Sequence, residues 1–133
     1  MDKNIFKVKG TYVNGQWFNS KTSYEVFNPS NGEKLSDVPI SDRKELELAV
    51  SSAKKAQAIW SKTSLIERAK CLEELSKKIL AKEEEFALID SYDSGNAITG
   101  MRKDVKETVN NIRYFCGLVR DCLLYTSDAA DES

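Results

Sequence analysis

Tyr24-Glu25-Val26-Phe27-Asn28-Pro29-Ser30-Asn31-Gly32-Glu33 decides how the rest of the chain is read. Tyr24 to Phe27 is a β-prone run. Asn28-Pro29 and Asn31-Gly32 then supply the fixed φ and the tolerated positive φ that reverse a chain. Glu33 to Val38 returns as a second strand, so the stretch predicts a β-hairpin. Working outward toward the N-terminus, Thr11-Tyr12-Val13-Asn14-Gly15-Gln16-Trp17-Phe18 has the same form. Asn14-Gly15 suits the type I′ turn, which needs positive φ at both central residues.

Toward the C-terminus the period changes from two to about 3.6. Asp42 followed by Glu45 has capping-box spacing, and Leu46, Ala49, Val50, Ala53, Ala56 and Trp60 recur on one helical face. Ser64 and Glu67 form a second capping box, followed by the stripe Ala69, Leu72, Leu75, Ile79 and Leu80. A third, shorter helix through Phe86 and Ile89 is expected to stop near Gly95, a left-handed C-cap. A fourth starts after Thr99 and directs Met101, Val105, Val109, Ile112, Phe115 and Val119 inward. Two hairpins are too small to cover four apolar faces. The helices either bundle together or lean on something else.

The composition is that of a soluble globular protein: 41% apolar and 31% charged residues over 133 positions. A net charge of -1 gives no electrostatic reason to expect nucleic acid or an acidic membrane surface. Runs such as Lys77-Lys78 and Glu83-Glu84-Glu85 are read as solvated faces. No apolar stretch is long enough to span a bilayer, and Met1 to Phe6 has no secretory character, so the cytoplasm is the expected compartment. Histidine is absent, which excludes Ser-His-Asp and Cys-His catalysis. Cys71 and Cys116 sit on predicted helices beside apolar positions and are read as inert, mostly buried thiols.

From Asp121 the pattern breaks. Cys122 to Asp131 can be written back as TGT CTC TTA TAC ACA TCT GAC GCT GCC GAC, which resembles the end of a transposase-based sequencing adapter. Residues 121–133 are therefore expected to be a non-native tail without helical period. Without its four acids (Asp121, Asp128, Asp131, Glu132) the chain turns slightly basic, too weakly to imply a polyanion partner.

Taken in order, several short signals resemble the N-terminal region of the aldehyde dehydrogenase superfamily. They are Asn28-Pro29-Ser30-Asn31-Gly32-Glu33; Ala53, Ala56 and Trp60; Glu67-Arg68 with Leu72 and Leu75; Asp93-Ser94-Gly95-Asn96; Asp104; and Tyr114-Phe115-Cys116-Gly117. Each is weak alone, and the order and intervals carry the likeness from Tyr12 to Val119.

The resemblance implies a three-domain α/β parent, of which this chain is two N-terminal β-hairpins followed by about four α-helices. Residues 1–10 would be a flexible N-terminus and 11–120 the first part of an NAD(P)-binding domain. The parent would oxidise an aldehyde to a carboxylic acid with NAD or NADP and assemble as a homodimer or homotetramer. Its catalytic thiolate, general base and dinucleotide cradle would lie outside this segment, leaving no catalytic or cofactor-binding residue here. One site implied by the resemblance falls inside it: a monovalent cation, K+ or Na+, held by the carbonyls of Val26 and Phe27 and the carboxylate of Asp93. The competing expectation is a small free-standing interaction or regulatory domain without catalysis.

Overall fold

The computed structural model describes the backbone of residues 3–131 and the side chains of residues 5–119. A 3-10 turn at Lys3–Phe6 precedes β1 (Thr11–Val13), β2 (Gln16–Phe18), β3 (Ser23–Phe27) and β4 (Lys34–Pro39). Four helices follow: α1 (Arg43–Trp60), α2 (Leu65–Ala81), α3 (Glu83–Ser94) and α4 (Ile98–Asp131). The chain divides into two compact units, residues 1–62 with 89–96, and residues 63–88 with 97–133.

The first unit holds both hairpins and α1. β1 pairs with β2 antiparallel, with Thr11 opposite Phe18 and Val13 opposite Gln16. Asn14 and Gly15 between them take φ of 50° and 80°, the positive pair that a type I′ turn demands. β3 pairs with β4, Tyr24 opposite Val38 and Val26 opposite Ser36. Phe27 then pairs with Lys34, so the register shifts and Leu35 is the extra residue of a bulge. Asp42 and Glu45 close the capping box of α1: the Glu45 amide donates to Asp42 Oδ1 at 2.9 Å, and the Asp42 amide to Glu45 Oε2 at 3.1 Å. The expected inward stripe of α1 is not buried. Leu46, Val50 and Trp60 are exposed and only Ala49 is half-buried, because the two-stranded sheets leave this helix face without a facing surface.

The second unit is helical, and its centre is the packing of α2 on α4. Ala87, Met101 and Val105 form a small buried cluster with Ile79 and Ile98 against it. Val109, at 1% exposure, and Cys116, at 2%, extend the buried line along α4. Here the observed faces differ from the expected stripes. On α2 the buried positions are Ala69 and Ser76, whereas Leu72, Leu75 and Leu80 are exposed. On α4 Cys116 is buried, as expected of its thiol, while Phe115, expected to face inward, is 63% exposed. Apolar residues on both helices span a wider arc than one partner helix covers, so packing selects the centre and leaves the flanks bare. Cys71, expected to be mostly buried, is exposed: two positions from Ala69, it lies about 200° around the helix.

α4 also runs on to Asp131, beyond the boundary expected at Asp121. No proline or glycine follows Gly117, so nothing in the backbone chemistry stops a helix already nucleated.

Candidate functional site

Val26, Phe27 and Asp93 all belong to the hairpin unit. The turn after β3 is heavily bonded. Asn28 is 6% exposed; its amide donates to the Glu33 carbonyl and its carbonyl accepts from Gly32, both at 2.8 Å. Its Oδ1 takes the Ser30 amide at 2.9 Å, an Asx turn that presets the bend through Pro29. Asp93 arrives from the last turn of α3. The Gly95 amide donates to the Ser91 carbonyl at 3.0 Å, and Ser91 Oγ donates to the Asn96 carbonyl at 2.7 Å, closing the helix end. Gly95 has φ +78°, and a Cβ there would stand 2.9 Å from Pro29 Cγ. Glycine is what lets the Asn28-Pro29 turn and the end of α3 lie together.

That approach brings Val26 and Asp93 to the wall of one cavity of about 360 Å3. Phe27 does not line it; its side chain is exposed, next along a strand whose alternate residues face opposite ways. The rest of the wall escaped the sequence reading. Tyr24, Val26, Ser36 and Val38 are two cross-strand pairs on one hairpin face, and the bulge adds Leu35 beside Ser36. The alternation in each strand held this signal, but the bulge did not show in it. Ile5, Phe6, Lys7 and Val8 from the N-terminal segment and Ile89 from α3 complete the wall.

The chemistry available is modest. Among the described residues no group of three histidine, cysteine or acidic side chains is placed to hold a metal ion. The titratable groups with shifted pKa are caps and surface ion pairs. Hydrogen bonds from Ser64 hold Glu67 below the usual carboxylate range, and Arg102 does the same to Glu84. Hydrogen bonds to Asp37 and Glu25 raise Lys34, and one to Glu74 raises Lys77. Cys116 Sγ lies 3.5 Å from the Ala69 carbonyl oxygen inside the helical unit. The described strands form only antiparallel pairs, so the strand–turn–helix cradle that binds a dinucleotide is not built from them. No helix among the described residues is long and apolar enough to cross a membrane.

Comparison with known proteins locates this architecture. Residues 17–131 match the model of the aldehyde dehydrogenase family. Malonate-semialdehyde dehydrogenase 1 of Shouchella clausii is 36% identical over 115 residues, 85% of this chain and 23% of that protein. The Bacillus pumilus malonate-semialdehyde dehydrogenase is 30% identical over 119 residues, 88% of this chain and 24% of that protein. Among solved structures, the betaine aldehyde dehydrogenase of Staphylococcus aureus in complex with NAD+ superposes with a TM-score of 0.79 at 26% identity. It covers 84% of this chain, which in turn covers 23% of it. The chain thus spans about a quarter of the length of these relatives.

Proposed function

The chain belongs to the aldehyde dehydrogenase family, and from that premise we propose that it is the N-terminal part of an NAD(P)-dependent enzyme oxidising an aldehyde to a carboxylic acid. The observation that carries this reading is the agreement of the family match over residues 17–131 with an architecture that superposes over 84% of the chain. In the whole enzyme the cofactor would accept hydride. None of the residues described here is assigned to holding it, because no βαβ unit is formed by them. The role of this segment is to be scaffold. Its bare flanks support that role: Leu72 and Leu75 on α2, and Tyr114 and Phe115 on α4, are exposed. The parent would be a cytoplasmic homodimer or homotetramer acting on a small aldehyde. Support for the cofactor comes from the Staphylococcus aureus relative, whose structure is a complex with NAD+.

A monovalent cation, K+ or Na+, belongs to the same reading. Asp93 would supply its charge and the carbonyls of Val26 and Phe27 its neutral ligands. The shared cavity wall of Val26 and Asp93 supports this, as does the bulge that interrupts the ladder between Val26 and Phe27. Broadening of the 23Na resonance by the chain, reversed by K+ and lost in Asp93→Asn, is the expected result; an unbroadened line would remove the ion from the account.

Two measurements test the larger proposal. The purified chain, given an aldehyde with NAD+ or NADP+, is expected to produce no reduced nicotinamide and to show no micromolar dinucleotide binding by calorimetry. Either activity would overturn the scaffold role. An independent clone of the coding DNA is expected to continue in frame past codon 120 into a strand-rich region with a catalytic cysteine. We read residues 121–133 as the non-native tail, and the same clone tests that.

A further inference from the structure

The cavity beside Asp93 is much larger than an inorganic ion needs. A hard cation such as Ca2+ is enclosed by oxygens at roughly 2.3–2.6 Å, and a monovalent ion by a shell of the same order, holding on the order of tens of Å3. The cavity measures about 360 Å3, within the range of roughly 300–1,000 Å3 typical of small-molecule sites. Most of its wall is apolar, with Val8, Leu35, Val38 and Ile89 among its aliphatic residues and Phe6 and Tyr24 as its aromatic ones. Its titratable groups are Asp93, Lys7 and Tyr24. Asp93 is the single acid of the wall, and it forms no ion pair among the described residues.

We propose that this cavity binds an organic ammonium compound, a primary amine on a short aromatic or branched aliphatic body. The ammonium nitrogen meets the Asp93 carboxylate, and the body lies on the apolar wall. The aromatic residues of the wall, Phe6 and Tyr24, favour a cation by their negative ring faces. An apolar body gains by leaving water in proportion to the area that Leu35, Val38 and Ile89 cover. Lys7 opposes the ligand by its charge, but it is exposed and its long aliphatic stem lets the ammonium swing into solvent. The proposal stands on the cavity's size and wall and not on the monovalent-cation reading, which claims the same carboxylate for a different occupant.

Phenethylammonium chloride titrated into the 133-residue chain at constant ionic strength tests it, by calorimetry and by amide shifts at Val26, Ser36 and Asp93. Saturable binding in the millimolar range or tighter is expected. Asp93→Asn, a near-isosteric change at an exposed position, should weaken it at least tenfold, and Lys7→Gln should strengthen it about twofold. Ser36→Leu, which fills the cavity without altering its charge, should weaken it too. Neutral 2-phenylethanol should bind at least tenfold more weakly than the amine. Equal binding of the alcohol, unchanged affinity in Asp93→Asn, or no saturable binding of the amine overturns the proposal. The amine and the inorganic ion compete for the Asp93 carboxylate, so the titration is run in buffer free of Na+ and K+ and the 23Na signal is read on a separate sample without amine; either occupant can then fail without the other.

Discussion

Gly95 shows how much one residue settles. Its φ of +78° lies where any Cβ is strained, and that Cβ would stand 2.9 Å from Pro29 Cγ. Gly95→Ala is therefore expected to cost about 1–3 kcal/mol of unfolding free energy, read by urea denaturation, and to loosen the contact that shapes the cavity. Asp93-Ser94-Gly95-Asn96 is legible as a helix end; that Pro29 presses on it is not, since nothing local records a neighbour 66 positions away. Ser64 is a second such position. Ser64→Ala should cost about 1 kcal/mol by removing the side-chain cap of α2. Hydrogen bonds from Ser64 hold Glu67 below its ordinary value of 4.5. A lowered folded-state pKa contributes stability above the unfolded value and loses it as pH falls through the folded value. The difference between wild type and Ser64→Ala should thus narrow as pH drops below 4.5, and a gap that widens would contradict the assignment.

At the scale of elements, α2 and α4 carry the helical unit. Val109 is almost wholly buried and Phe115 is mostly exposed, although the helical period directs both inward. Val109→Ala should destabilise by about 2–3 kcal/mol, from lost burial and the cavity left behind. Phe115→Ala should change stability by less than about 0.5 kcal/mol, as surface substitutions do. The reverse order in thermal or urea melts would show the helix rotated from the face described. The start of α3 is tied to α4 by a forked ion pair, Arg102 Nε and Nη2 on Glu84 at 2.8 and 2.7 Å, with Lys106 on Glu83 at 3.3 Å. These pairs are solvent-accessible, so Glu84→Gln should lower the melting temperature slightly, and molar salt should erase most of the difference.

For the whole molecule, the bare flanks of α1, α2 and α4 predict behaviour in solution. The purified chain should bind a hydrophobic dye such as ANS and self-associate at tens of micromolar. Leu75→Lys combined with Phe115→Lys should reduce both effects without loss of helicity. A compact monomer that melts cooperatively and ignores the dye would contradict the scaffold role and favour a free-standing domain.

The elements and their order are legible in the amino-acid sequence. Asn14-Gly15, the Asn28 to Gly32 turn, the Asp42 and Ser64 capping boxes and Gly95 are local devices, each acting on atoms a few residues away, and each stands in the structure where its chemistry put it. Family membership was legible because it is written in the order and intervals of short local signals, from residues 28–33 through 93–96 to 114–117. Which part of each apolar arc is buried came from tertiary packing alone: Ser76 lies inside while Phe115, Leu72 and the thiol of Cys71 do not, and a cavity opens beside Asp93. Burial depends on which surface another element presents and on how much of an arc it can cover. A period along one helix says where the arc lies but not how wide its partner is.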